Sequence, residues 1–327
     1  FVHAERLDAF TGETGGKADI LIDNGWVLTQ NPTGASYPEG FVAIAGESHD
    51  GHRFVADVLD RGVKGVVVAE SQAPNMPMER MTAGGIACVS VADTTQALGA
   101  LARFNRGRGR LTVIAVTGSN GKTSTRMLMD QVISQQFTTL STRGNLNNHI
   151  GLPLTLFRLQ PKHRFAVLEM GASKLHDIAY LAGIGRPDVG LVNNIAPAHL
   201  EGFGSIEGVA RTKGEMFGAL PANGCAVMNA DEPWGELWRE QNTAEKVLTF
   251  GTAADADVRV EATADGCRLI TTAGACDVAL PLPGSHNHMN AAAATAMALA
   301  LDIDMDIIKR GLENVVPDPG RLNVLHH

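Results

Sequence analysis

Aromatic side chains are scarce in this chain of 327 residues: two tyrosines and three tryptophans are too few to suggest a platform on which nucleic-acid bases would stack. Basic residues are outnumbered as well. With 27 Lys and Arg against 35 Asp and Glu, the formal net charge is -8 at pH 7, which argues against a general electrostatic grip on nucleic acid or on an anionic membrane. No apolar run is long enough to span a bilayer, and no charged-then-apolar leader is visible, so a cytoplasmic protein is expected. Cysteine appears only as Cys88, Cys225, Cys267 and Cys276, without CxxC spacing. Reduced core thiols are expected, although Cys267 and Cys276 could also face each other across a hairpin. What the chain does have is 44% hydrophobic and 19% charged residues, the balance of a soluble globular protein. Its length exceeds one ordinary core, so two or more domains are expected.

Glycine and hydroxyl residues are concentrated in one informative place. Val113 to Val116 reads as a buried strand, followed by Thr117-Gly118-Ser119-Asn120-Gly121-Lys122-Thr123-Ser124 and then a helix from Lys122 to about Ile133. Strand, glycine turn and helix in this order form a phosphate cradle. Gly118 and Gly121 let backbone N–H groups approach phosphate oxygens, the helix start adds its positive end, Lys122 reaches the terminal phosphates, and the Thr123 hydroxyl can hold Mg2+. Val116 stands where the usual pattern has glycine, so this is a shortened P-loop. The expected ligand is a nucleoside triphosphate.

Upstream, short strands (20–22, 41–45, 66–69, 86–91) mixed with helices (54–61, 94–104) predict a small N-terminal α/β domain over 1–108. The loop Gly46 to Phe54 opens a helix, either as a solvated turn capped by Asp50 or as a ligand-contacting loop. Arg106-Gly-Arg-Gly-Arg110 reads as a flexible linker. From 109 to 316 alternating strands and helices predict a central P-loop ATPase domain with a mostly parallel, doubly wound sheet, and Val258 to Leu280 predicts a small antiparallel extension around Gly266 and Gly274.

In such sheets ligands gather beyond the carboxyl ends of the strands. That rule places Glu169, Asn194 and His199 on the same rim as Lys122 and Thr123, where a triphosphate brings its metal. The helix Ser205 to Leu220 carries an apolar stripe of Ile206, Val209, Ala210, Phe217 and Leu220, with Lys213 in its middle. Either the lysine snorkels to water or it is delivered to the active site. Near the end, Ser285 is a plausible cap for an alanine-rich helix, and Asn290 lies where it could meet a nucleotide base or merely serve the helix start. His286 and His288 are two apart, so a metal pair there is disfavoured.

Six stretches together resemble the Mur ligase family: the P-loop, Gly144-Asn145-Leu-Asn147-Asn148-His-Ile-Gly-Leu-Pro153, Glu169-Met-Gly-Ala172, Asn193 through His199 to Gly204, Lys213-Gly-Glu215, and Gly284 to Asn290. The resemblance spans nearly the whole chain, and it is nearest to the branch that joins D-alanyl-D-alanine to UDP-N-acetylmuramoyl-tripeptide. It implies a UDP-sugar-peptide domain at the N-terminus, a central ATPase, and a C-terminal Rossmann-like domain that 317–327 would begin. This chain alone would then be inactive. Implied roles are Gly118 to Ser124 on the phosphates, Thr123 and Glu169 on magnesium, His199 on a second magnesium, and Lys213 as a carbamate ligand. Asn290 and Arg321 would contact the nucleotide, and Thr142, Asn145, Asn147 and Asn148 the substrate. Implied cofactors are ATP and Mg2+; a monomer is expected. The family's Asp-Ser-Arg ahead of the first-domain strand is not visible here, its nearest counterpart being Asn31-Pro-Thr33 before Tyr37-Pro-Glu-Gly-Phe41. A related amide ligase of folylpolyglutamate or cyanophycin type, and a non-catalytic nucleotide-binding fragment, remain as alternatives.

Overall fold

The computed structural model describes residues 40–46, 50–272 and 274–316, with the backbone of three short strands at 2–3, 21–23 and 26–28. Two compact units result, one from 1–109 with 149–159 and the other from 110–148 with 160–327. Asn31 to Glu39 and Arg321 lie outside the described residues.

The first unit holds a six-stranded sheet in the order β1-β6-β5-β4-β3-β2, with β1 (Val2–His3), β2 (Leu21–Asp23), β3 (Trp26–Leu28), β4 (Gly40–Val42), β5 (Gly65–Ala69) and β6 (Ala87–Val91). Helices α1 (Val55–Asp60), α2 (Met78–Ala83) and α3 (Thr94–Gly107) join these strands. Valines alternate along β5, and Val66 and Val68 pack with Phe41, Val55, Val58 and Met81 in one apolar core. Asp50 caps the 3-10 turn at Gly51–Phe54 by accepting the His52 N–H. His52 is buried, its Nδ1 lies 2.6 Å from Asp50 Oδ1, and its Nε2 accepts the Ala69 N–H at 2.9 Å. An Nε2 that accepts leaves the proton on Nδ1, so Asp50 and His52 form a structural tie between this turn and β5. Of the two readings of that loop, the cap is the one seen. The expected linker is shorter than its glycines suggested, because α3 continues through Gly107.

The second unit carries the nine-stranded sheet β15-β14-β13-β12-β11-β10-β7-β9-β8. Its strands are β7 (Thr112–Thr117), β8 (Thr139–Ser141), β9 (Phe165–Glu169), β10 (Val189–Val192), β11 (Cys225–Asn229), β12 (Lys246–Gly251), β13 (Val258–Thr263), β14 (Gly266–Thr271) and β15 (Gly274–Val278). Pairing is parallel from β8 to β13 and antiparallel through β14 and β15. Strand order reverses at β7, whose neighbours are β9 and β10, and the glycine loop follows β7. A crevice for a ligand opens at such a reversal. The helices are α4 (Lys122–Ser134), α5 (Gly151–Phe157), α6 (Asp177–Gly185), α7 (Leu200–Phe203), α8 (Ile206–Gly218), α9 (Gly235–Gln241), α10 (Ser285–Ala300) and α11 (Met305–Glu313). Of these, α5 belongs to the first unit, where Asn105 Nδ2 donates to the Leu156 carbonyl at 3.0 Å.

One face of the large sheet is covered by α4, α10 and α11. Ala291, Ala292, Ala293, Ala294, Ala296 and Ala298 are all buried and join Leu128, Met129 and Val132 of α4 in the main core. Alanine here is more than a helix former, since its small side chain lets α10 lie close to α4 and to the sheet. Ser285 is the first residue of α10 and not its cap; Gly284 takes that position with no side-chain bond. All four cysteines are free. Cys267 pairs with Val278 and Cys276 with Leu269, so the two thiols are offset by two residues on one sheet face and do not oppose each other. Among the described residues no helix is long and apolar enough to cross a membrane.

Close approach of α11 to α4 yields a direct test. A Cβ at Gly311 would lie 2.5 Å from Val132 Cα, a backbone atom that cannot move aside without shifting the helix. Gly311→Ala should therefore destabilise the chain by about 1–3 kcal/mol, measured as a lower midpoint in urea. A midpoint at or above that of the parent chain would show that α11 gives way freely.

Candidate active site

The glycine loop leaves β7 at Thr117, turns through Gly118 (φ 146°) and Gly121 (φ 77°), and enters α4 at Lys122. Space demands both glycines. A Cβ on Gly118 would meet Asn193 Cβ at 2.9 Å, and one on Gly121 would meet Asn193 Nδ2 and Asn290 Oδ1 at 2.5 Å each. Asparagines hold the backbone of the loop. Asn194 accepts the Ser119 N–H on its carbonyl and the Asn120 N–H on its side chain, both at 2.8 Å. Its Nδ2 donates back to the Asn120 carbonyl at 3.1 Å. Buried Asn193 donates to the Asn120 carbonyl and to Asn290 Oδ1, at 3.1 and 2.9 Å. Thr125 Oγ1 donates to the same Asn290 oxygen, and Asn290 Nδ2 donates to Asn287. Asn290 is thus placed beneath the loop and buried, as a pin. Ser124 lies half-buried in the first turn of α4 and Thr123 is buried beside it.

Of the predicted rim, Glu169 and Asn194 are brought to the glycine loop. Strand register pairs Glu169 with Val116, and the Asn193 N–H donates to the Thr117 carbonyl, so the ends of β9, β7 and β10 meet at the loop. Glu169 is 2% exposed. Its Oε1 accepts from Asn147 Nδ2 at 2.9 Å, and its backbone N–H donates to Thr142 Oγ1 at 3.0 Å. Oε2 lies 3.7 Å from Arg126 Nε and has no hydrogen-bond partner among the described residues. Of the four residues expected to meet substrate, Thr142 and Asn147 are therefore brought to Glu169, while Asn145 and Asn148 are exposed.

Lys213 does point inward: it is 3% exposed, with its Nζ 5.9 Å from the centroid of the Phe203 ring. No carboxylate pairs with it among the described residues. Burial, helped by the nearby charge of Lys122, pulls its ammonium down to about 8. Lys122 folds over the loop and donates to the Gly118 and Ser119 carbonyls at 2.8 and 3.0 Å. Ile206, by contrast, is 40% exposed and is not part of the stripe. His199 sits exposed in a left-handed turn (φ 52°) at the start of α7. No bond joins its ring to Glu169 or Lys213 among the described residues. Nor do three or more His, Cys, Asp or Glu side chains converge as a metal cage among them.

The chemistry available is therefore phosphate binding at backbone amides and Lys122, with Glu169 Oε2 and the Thr123 hydroxyl as oxygens that fit Mg2+. Three residues of the site escaped the sequence pattern as site residues. Thr125 and Arg126 look like ordinary helix positions, and Asn229, whose Nδ2 donates to the Asn193 carbonyl at 2.9 Å, looks like a strand end.

The Lys213 environment has a measurable consequence. A lysine with a depressed folded-state pKa destabilises the fold while protonated, and that penalty fades as pH rises from about 8 toward the unfolded value. In CO2-free buffer Lys213→Met should be more stable than the parent at pH 7, and the gap should narrow as pH rises beyond 8. A gap that is absent, or constant with pH, would mean that the ammonium reaches water.

Comparison with known proteins agrees with this geometry. The Mur ligase middle domain model matches residues 116–298. UDP-N-acetylmuramoyl-tripeptide--D-alanyl-D-alanine ligase of Escherichia coli K12 is 40% identical over 98% of this chain and 69% of that protein. Its counterpart in Haemophilus influenzae is 36% identical over 86% of this chain and 61% of that protein. Among solved structures, MurF from Acinetobacter baumannii superposes with a TM-score of 0.78 at 36% identity, covering 87% of this chain and 61% of that one. MurF from Thermotoga maritima, in complex with ADP, gives 0.76 at 28% identity over 90% and 66%. The chain thus spans about two thirds of the length of these relatives, and with its middle-domain match and its glycine loop, rim carboxylate and inward lysine in one unit, it belongs to the Mur ligase family.

Proposed function

We propose that this chain provides the nucleotide-binding and UDP-sugar-peptide-binding parts of a cytoplasmic, monomeric, ATP-dependent amide ligase. That ligase adds D-alanyl-D-alanine to UDP-N-acetylmuramoyl-tripeptide in the synthesis of peptidoglycan. The observation that carries the reading is the juxtaposition of the pinned glycine loop with Glu169 and Lys122 at the ends of adjacent parallel strands. In the reaction the carboxylate at the end of the tripeptide attacks the γ-phosphorus of ATP, giving an acyl phosphate and ADP. The free amine of D-alanyl-D-alanine then displaces phosphate and loses a proton as the amide forms.

Phosphoryl transfer asks for positioning and charge more than for covalent help. The loop amides and Lys122 would hold the phosphates in line, while Thr123 and Glu169 supply oxygens to magnesium. Bound there, magnesium would offset charge building on the transferred phosphoryl group. Lys213 fits this site poorly as a cation, because it lies buried and close to Lys122 without an acid partner among the described residues. As a carbamate, formed by its neutral amine with CO2, it would become an oxygen ligand, with His199 completing a second metal position. Asn290 and Arg321 would serve the nucleotide, and Asn145, Asn147, Asn148 and Thr142 the peptide side.

Two experiments test this. Lys122→Ala should weaken binding of a non-hydrolysable Mg–ATP analogue roughly 10- to 100-fold, the ~1.5–3 kcal/mol typical of bonds to a charged group, without lowering the melting temperature. Unchanged affinity in calorimetry would reduce the loop to a turn. In the protein that carries this chain, Lys213→Ala should abolish pentapeptide formation from UDP-N-acetylmuramoyl-tripeptide, D-alanyl-D-alanine and ATP, followed by mass, with partial rescue by a small added carboxylic acid. Full activity of the alanine variant would refute the carbamate role.

A further inference from the structure

A buried arginine stands behind the rim carboxylate, and nothing in the resemblance gives it a role. Arg126 lies on α4, four positions after Lys122, and is 5% exposed. Its Nη1 donates to Ser141 Oγ on β8 at 2.9 Å, while its Nε stands 3.7 Å from Glu169 Oε2. The first contact is a hydrogen bond. The second is an ion-pair distance, too long for a hydrogen bond, so the guanidinium offsets the buried carboxylate charge while leaving the lone pairs of Oε2 open. Asn147 meanwhile fixes Oε1, and Thr142 fixes the backbone of the same residue.

We propose that Arg126 is a positioning residue for Glu169, which it aims, from the glycine-loop helix, at the place where magnesium-loaded phosphate is bound. Three elements meet in that one side chain: α4, which starts at the loop, β8 through Ser141, and β9 through Glu169. A buried carboxylate with one donor, Asn147 Nδ2, on Oε1 and no cation beside Oε2 would turn toward any donor it could reach. The arginine holds it in place by charge. A planar fork can bond Ser141 and face Glu169 at once, which the point charge of a lysine cannot do as well. Partners one shell away from a metal ligand typically change metal affinity roughly 10- to 100-fold.

This rests on the nucleotide reading above, and the test separates the two. Calorimetry with a non-hydrolysable ATP analogue is run in EDTA and in saturating magnesium, and the ratio of the two affinities is the readout. Arg126→Met should reduce the advantage of the magnesium form by about tenfold or more while affinity in EDTA stays within twofold of the parent. Arg126→Lys should restore part of the ratio. Ser141→Ala, which frees the guanidinium without uncovering a buried charge, should lower it by a smaller factor and serves if the methionine variant does not fold. A parent chain that binds neither form overturns the nucleotide reading and this inference together. A parent that prefers magnesium, with an unchanged ratio in whichever variant folds, overturns the inference alone. Equal losses in both forms would also overturn it, assigning Arg126 to packing.

Discussion

The bond between Asn193 and Asn290 beneath Gly121 is the constraint on which the site depends. The Asn193 amide and the Thr125 hydroxyl share one oxygen, Asn290 Oδ1, at 2.9 and 3.1 Å, directly under a glycine that has no room for a Cβ. Buried amides are costly unless bonded, and here each bond also removes a freedom from the loop. Asn193 belongs to the end of β10 and Asn290 to the second turn of α10, so a strand and a distant helix must both be in register before the loop takes its shape. The alanines after Asn290 set that depth: with Ala291 to Ala294, Ala296 and Ala298 buried against α4 and the sheet, a larger side chain would lift the pin away from the loop. Core packing and phosphate geometry are one problem in this unit.

Charge shows the opposite economy. Glu169 and Lys213 are both almost fully buried, yet the first has one unbonded oxygen and the second no acid partner among the described residues. An ordinary core would have replaced both with apolar groups at a gain in stability. Their burial, Glu169 at the end of the strand beside β7 and Lys213 near enough to feel the charge of Lys122, is what one expects where stability yields to a ligand that brings its own charges.

Much of this was legible in the sequence, for identifiable physical reasons. Parallel strands deliver their carboxyl ends to one edge, so Glu169 and Asn194 could be placed beside the glycine loop from strand ends alone, as the register of β9 on β7 and the Asn194 bonds to Asn120 agree; the same rule also named His199, which is exposed and bonded to neither Glu169 nor Lys213 among the described residues. Lys213 was legible because helical periodicity is strict, although the same stripe wrongly included Ile206, which lies at the helix's first turn where the chain is still leaving the surface. Asp50 was legible as a cap by its chemistry, but the tie of His52 to Ala69 was not, since it spans 17 residues. Ser285 misled because a hydroxyl before an alanine run looks like a cap, whereas Gly284 (φ 97°) makes the turn instead.

Arg126 marks where such reasoning ends. Helical spacing puts Arg126 on the buried side of α4, three and seven positions before Met129 and Ile133, but a charged residue there is ordinarily read as one whose head reaches water. Its burial is imposed by β8, a strand of only three residues at the edge of the sheet, too short to announce itself by alternation. Sequence periodicity reports which face of an element is buried against the bulk of the core. It is silent on which partner meets a polar side chain buried there, and that partner decides whether the side chain is held for its charge. The residues easiest to recognise in this site are therefore those that touch the ligand, and those hardest to recognise are the ones that hold the first group still.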